Sequence, residues 1–349
     1  MSDASDDVSE PSTTESDAPQ SRRDASRSRR DADTPEPGAV SPSHVRSARS
    51  EIENQIAHAR AEFDQANERI KQRTGRDLLV AILIGLTLGA ALIGSLVFIK
   101  WIFVVFALAA CVLGLFEFSR ALTVSGRKVD LVPQIGAGAL LVLAGFFLDP
   151  WLHWVATLAA VAIVVVWRLI AQMAARDGRT YGAVLDDVLV AGFAQLYVPF
   201  LTSLCLVILR QEGGEWWVLA FIVTAVAADT GAYAAGLAFG KHPMAPRISP
   251  KKTWEGFAGA GTAALLAGLL LGLFMIGLPW WAGLVFGAVI LITATLGDLG
   301  ESMIKRDLGI KDMSSWLPGH GGVLDRLDSI LLSVIATLAF SYLFAPLIA

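Results

Sequence analysis

The chain has 349 residues, 54% of them hydrophobic and 17% charged, with a mean hydropathy of +0.56. That is too apolar for a soluble domain and points to a polytopic membrane protein. The formal net charge of -4 excludes little because charge is segregated along the chain. The two cysteines, Cys111 and Cys205, lie inside apolar runs and read as buried neutral thiols, with neither a disulfide framework nor a metal pair.

Residues 1–44 form a polar, low-complexity tail. The first twenty residues hold six acidic side chains and no basic one; Arg22, Arg23, Arg27, Arg29 and Arg30 follow, and the first aromatic residue is Phe63. Such a segment cannot bury enough apolar surface to fold, so it is expected to be disordered. A phosphorylated or partner-binding role stays open. Residues 45–76 change pattern: Ile52, Ile56, Ala59, Phe63, Ala66 and Ile70 recur at alternating spacings of four and three, a heptad-like stripe on a charged helix. This helix can pair with a second copy, lie on the membrane surface or simply link. The first apolar run begins near Leu78, so no cleavable secretory signal is expected.

Nine apolar runs follow, near 78–98, 101–118, 131–148, 151–170, 187–209, 216–240, 254–277, 279–299 and 324–347. Each is long enough, or nearly so, to cross the ~30 Å hydrocarbon layer as a helix. The first two are separated so narrowly, around Lys100, that they read either as a hairpin or as one broken helix. Trp101, Trp151, Trp154, Trp167, Trp216, Trp217, Trp280 and Trp281 sit near run ends, as an interfacial belt would. The expected fold is therefore an all-α polytopic membrane protein of about nine transmembrane helices, with membrane regions at 77–215 and 216–349. With the N-terminus in the cytoplasm, the inside loops carry thirteen Lys and Arg: Arg120, Arg127, Lys128, Arg168, Arg176, Arg179, Lys241, Arg247, Lys251, Lys252, Lys305, Arg306 and Lys311. The outside turns carry two, Lys100 and Arg210. This bias favours N-in, C-out.

Three stretches carry chemistry. Asp229, in Ala-Ala-Asp-Thr-Gly-Ala-Tyr, lies inside the sixth run, where a charge costs roughly 2.5–3.5 kcal/mol on insertion scales. It reads as facing a polar cavity or an ion, unless it snorkels or stays protonated. The loop Ile-Ser-Pro-Lys-Lys-Thr-Trp-Glu-Gly follows. Ser249 with Pro250 is expected to start the next helix, whose free amides, with Lys251 and Lys252, would bind an anion. The lysines alone would be topology signals.

The third stretch, residues 297–329, packs Asp298, Glu301, Asp307, Asp312, Asp325 and Asp328 with Lys305, Arg306, Lys311, Arg326 and His320. Asp298 and Glu301 are three apart on a helix and share a face, and Asp325 and Asp328 repeat that spacing. Asp325 can also simply favour a helix N-terminus. Pro318-Gly319-His320-Gly321-Gly322 cannot be regular helix and leaves amides uncovered. His320 reads as a general base, a pyrophosphate ligand or a turn residue, but not as a Mg²⁺ ligand. Paired carboxylates hold Mg²⁺, while Lys, Arg and open amides hold phosphate, so metal-assisted phosphoryl or nucleotidyl transfer is the expected chemistry.

Residues 302–328, S-M-I-K-R-D-L-G-I-K-D-M-S-S-W-L-P-G-H-G-G-V-L-D-R-L-D, resemble the fingerprint of the phosphatidate cytidylyltransferases (CDP-diacylglycerol synthases). The preceding G-D-L-G-E-S, the S-P-K-K-T-W-E-G loop and D-T-G-A-Y resemble the same family in the same order. The resemblance covers roughly residues 229–328; the N-terminal half is similar only in being hydrophobic.

The resemblance implies conversion of CTP and phosphatidic acid to CDP-diacylglycerol and pyrophosphate, dependent on Mg²⁺ with a second cation left open. It also implies an inner-membrane protein, a homodimer, and no nucleic-acid partner. Asp229, Asp298 and Asp325 would be the core metal ligands, with Glu301 and Asp328 as further candidates. Lys251, Lys252, Lys305, Arg306, Lys311 and Arg326 would bind phosphates, with Ser249 beside them, and Gly319, Gly321 and Gly322 would wrap the triphosphate. Competing readings are a CTP-dependent lipid kinase of the polyprenol or phytol type and an ion-coupled transporter.

Overall fold

A computed structural model describes Glu51 and residues 78–175, 177–314 and 321–348. The tail and the heptad-like stripe lie outside the described residues, as do Arg176, Pro318, Gly319 and His320. In chain order the described helices are α1 (Leu78–Phe98), α2 (Lys100–Val124), α3 (Leu131–Phe147), α4 (Pro150–Ala174), α5 (Tyr181–Gln195) and α6 (Leu201–Leu209). Then come α7 (Gly214–Phe239), strands β1 (Pro243–Ala245) and β2 (Ser249–Thr253), α8 (Trp254–Leu271), α9 (Trp280–Asp307) and α10 (Leu324–Leu343). Seven described segments are long and apolar enough to span a bilayer, with Tyr181–Leu209 counted as one; α3, Leu131–Phe147, is a shorter apolar helix. Each of the nine predicted runs thus finds a helix, as it must where backbone polar groups have no water to bond.

The narrow gap at Lys100 is a break between two helices. Ile99 is extended (φ -144°, ψ 92°) and stands just before the first turn of α2. Four helices run past their apolar cores: α2 to Val124, α4 to Ala174, α5 back to Tyr181 and α9 to Asp307. Hydropathy marks the part of a helix that lies in hydrocarbon, whereas the i→i−4 ladder continues into water. All four extensions fall at ends that the charge bias assigns to the inside.

The span Tyr181–Leu209 is the most buried of the seven, and every residue of α6 is buried. Pro199 interrupts it through a π-helical segment, Leu196–Phe200, which absorbs the missing N–H; the Val198 carbonyl accepts from the Thr202 hydroxyl at 2.8 Å. The main core gathers around it, with Phe221, Phe286, Leu331 and Phe340 contributed by α7, α9 and α10. Peripheral α4 is mostly uncovered, and its Trp151, Trp154 and Trp167 are exposed. In a bilayer those faces meet lipid.

β1 and β2 form an antiparallel hairpin, pairing Pro243 with Thr253 and Ala245 with Ser249. This corrects the expectation that Ser249 and Pro250 start a helix. The residue before a proline is driven out of the α region, which keeps Ser249 extended. The helix begins instead at Trp254, where the Gly256 N–H donates to the Thr253 hydroxyl at 3.1 Å. Glu255 then accepts from the Lys241 and His242 amides, at 3.1 and 3.2 Å, and closes the base of the hairpin.

Candidate active site

Between α7, α8, α9 and the start of α10, beside the hairpin, lies a cavity of about 390 Å³. Asp229 enters it from α7, Lys251 and Lys252 from β2, Asp298 from α9, and Asp325, Arg326 and Asp328 from α10. The lining also includes less polar residues: Ala228, Ala232 and Tyr233 of α7, with Phe257 and Ala260 of α8. A lining that mixes charged and apolar side chains suits an amphipathic substrate.

The close approach of α9 and α10 positions the carboxylates. A Cβ on Gly297 would collide with the Asp328 carbonyl oxygen, so only glycine lets the two helices meet there. Asp229 accepts from the Ser329 hydroxyl at 3.0 Å, which joins α7 to α10. Asp298 is bridged by the Lys252 ammonium at 2.5 Å and accepts from Ser302 at 3.3 Å. Asp328 takes the Ser329 amide at 2.7 Å.

Glu301 departs from its expected place. One turn beyond Asp298, it does not line the cavity; its side chain is 0% exposed and 3.4 Å from the Lys305 ammonium. Neither carboxylate oxygen has a hydrogen-bond partner. Lys305 also reaches Asp325 at 2.9 Å. Asp325 accepts from the Met313 amide at 3.0 Å and the Gly322 amide at 2.9 Å, so it closes the loop at the start of α10 as well as facing the cavity. The Gly322 N–H is therefore committed to a carboxylate, and Gly321 sits at φ 84° beside it.

Ser249, Arg306 and Lys311 stay outside the cavity lining; Arg306 donates to the Ile248 carbonyl at 3.3 Å and the Ile310 carbonyl at 3.2 Å. The expected roles of Gly319 and His320 fall outside the described residues.

The cavity lining offers carboxylates, the hydroxyls of Thr253, Thr295 and Tyr233 and one thioether, Met244, with no imidazole or thiol among the described residues. That donor set fits a hard divalent cation such as Mg²⁺, not zinc or copper. Asp229, Asp298 and Asp325 line one cavity, but among the described residues no three His, Cys, Asp or Glu side chains are arranged to hold one ion as they stand. Two of these carboxylates are ion-paired, Asp298 with Lys252 and Asp325 with Lys305.

The sequence reading passed over Glu117 of α2, which is 2% exposed. It accepts from the Val323 amide at 3.0 Å and the Leu324 amide at 2.9 Å, and from the Ser314 hydroxyl. A signal existed, because Glu117 is the one carboxylate in the 101–118 run, the same oddity that marked Asp229.

A family model described as the cytidylyltransferase family matches residues 79–344. The chain is 39% identical over 277 residues to the phosphatidate cytidylyltransferase of Mycobacterium bovis, covering 76% of this chain and 88% of that one. Similar proteins of the same name are found in Mycobacterium tuberculosis, at 39% identity with coverage of 76% and 82%, and Mycobacterium leprae, at 37% with 75% and 87%. With a match that spans α1 to α10 and takes in every cavity-lining carboxylate, the chain belongs to the cytidylyltransferase family.

Proposed function

We infer that this multi-pass membrane protein is a phosphatidate cytidylyltransferase, making CDP-diacylglycerol and pyrophosphate from CTP and phosphatidic acid for phospholipid synthesis. The observation that carries the reading is the similarity to phosphatidate cytidylyltransferases over three quarters of the chain, 76% for the Mycobacterium bovis protein. The cavity agrees with it, since its lining combines cationic and acidic side chains for phosphate and metal with apolar ones that suit the acyl part of a lipid.

In the reaction an oxygen of the lipid phosphate attacks the α-phosphorus of CTP. The bond from that phosphorus to the bridging oxygen breaks in line, and pyrophosphate leaves with the electron pair. The nucleophile is already an anion, so little base catalysis is required, and the main obstacle is repulsion between two polyanions. Lys251, Lys252 and Arg326 line the cavity where those phosphates would sit and bind them. Lys305, Arg306 and Lys311 lie outside the lining; Lys305 is held by Glu301 and Asp325, and Arg306 by the Ile248 and Ile310 carbonyls. Asp229, Asp298 and Asp328, with Asp325 beside them, would hold a divalent cation, Mg²⁺ in this reading, which supplies charge neutralisation when bound. For that, Lys252 has to release Asp298 and turn to phosphate. A homodimer in the inner membrane with the cavity facing the cytoplasm completes the reading; it rests on the family resemblance and on the thirteen-to-two bias of Lys and Arg.

Purified full-length protein given CTP, phosphatidic acid and Mg²⁺ is expected to release pyrophosphate and CDP-lipid in equal amounts. Release of CDP in place of pyrophosphate would identify a lipid kinase and overturn the assignment.

A further inference from the structure

We infer that Glu117, from the N-terminal membrane half, is a positioning residue that clasps the motif loop and sets the cavity face of α10. The inference rests on the cytidylyltransferase reading for its kinetic consequence, but the clasp itself rests on geometry alone.

The first N–H groups of a helix lack intrahelical partners and are usually capped by the residue just before it. In α10 that residue is Val323, which has no side-chain oxygen and makes no cap. Glu117 supplies the cap from another helix through the Val323 and Leu324 amides. The positive end of the α10 dipole adds to the attraction. The same carboxylate takes the Ser314 hydroxyl, on the far side of the loop. Asp325 takes the amides of Met313 and Gly322 next to these.

Two carboxylates thus draw together residues 313–314 and 322–324. Gly322 sits between them: a Cβ there would lie 2.7 Å from a Glu117 oxygen and 3.0 Å from an Asp325 oxygen. A buried carboxylate is costly unless its lone pairs are filled, and here three donors fill them. Rotation or retreat of the α10 start would unmake all three bonds at once. It would also move Asp325, Arg326 and Asp328, which share that turn and the next. Glu117 touches none of the cavity, so its effect on catalysis passes through those residues.

The test compares wild type with Glu117→Gln and Glu117→Asp by amide hydrogen exchange and by steady-state kinetics in CTP. Glu117→Gln removes the charge and offers fewer acceptor lone pairs; exchange in the segment 321–326 is expected to quicken, while exchange in α4 stays as in wild type. Misplacement on the scale of an ångström lowers kcat/KM for CTP roughly 10- to 100-fold. Glu117→Asp keeps the charge on a shorter arm and is expected to recover part of both losses. Unchanged exchange at 321–326 overturns the clasp. Quickened exchange with wild-type kinetics overturns the positioning role. Where the Gln variant does not fold, the Asp variant is judged by the same two readouts. Wild-type protein without CDP-lipid synthesis would count against the proposed activity and leave the exchange result to decide the clasp.

Discussion

Among the cavity residues, Asp298 serves two readings that mutation can separate. It is salt-bridged to Lys252, so it is either a structural anchor for the hairpin or a charge kept for a cation. Asn in its place keeps the size and loses the charge. If Asp298 serves the cation, activity falls roughly 100-fold or more, the scale of losing one charged ligand, and the Mg²⁺ concentration needed for half activity rises. Folding survives, because the acidic wall is relieved of one charge. Asp307, 70% exposed and 3.4 Å from Arg127, is the control: an exposed pair contributes less than ~1 kcal/mol, so Asp307→Asn stays within about threefold of wild type. Near-normal rates for Asp298→Asn at unchanged Mg²⁺ dependence would leave the proposed ion site without support. Glu301 marks a limit of reading spacing alone. Three residues on a helix place two side chains on nearby faces, but which of them meets the cavity depends on how α9 is turned against α10, and no residue count contains that angle.

Helices were legible because hydrocarbon leaves so few choices. The runs at 131–148 and 254–277 predict α3 and α8 to within a few residues, including the π-helical end of the latter, Gly272–Ile276. What escaped was polar structure at the ends of the helices, where water and side chains compete and several local solutions are open. The hairpin after α7 is one case and the in-trans cap of α10 another. The arginines near α4 and α5 are a third: they read as topology markers, yet Arg168, 4% exposed, donates to Asp130 at 3.2 Å and to Gln172. Fully buried Asp187 accepts from Arg179 and from the Lys128 amide, both at 2.8 Å, and lies 3.8 Å from Arg168. These bonds weld the loop after α2 to α4 and α5. Asp187→Ala leaves two guanidinium groups half-compensated, a change that costs about 3–5 kcal/mol. Thermal unfolding in detergent should show a much lower midpoint with the rate per folded molecule preserved. A midpoint near that of wild type would show the network to be ornamental.

Across the whole molecule, the two ends of the helix bundle differ in construction, and that difference bears on orientation. At one end the connections are short: Ile99, residues 148–149, 210–213 and 277–279. Its two cations are tied down, Lys100 to Glu215 at 2.7 Å and Arg210 to the Leu148 carbonyl. The other end carries the helix extensions, the hairpin, the motif loop and the cavity, along with the remaining Lys and Arg of the loops. Several of those cations are paired with Asp or Glu, but the orienting bias counts Lys and Arg and is little affected by acidic neighbours. On that bias we propose that the cavity end faces the cytoplasm, where CTP is available. Cysteine labelling in intact cells tests this with little background, because Cys111 and Cys205 are free and buried. A cysteine at exposed Arg247 in the hairpin is expected to resist an impermeant maleimide until the membrane is opened. One at exposed Glu212, between α6 and α7, is expected to react from outside at once. Reaction of the Arg247 site in sealed cells, with protection of the Glu212 site, would invert the topology and place the cavity where no CTP reaches it.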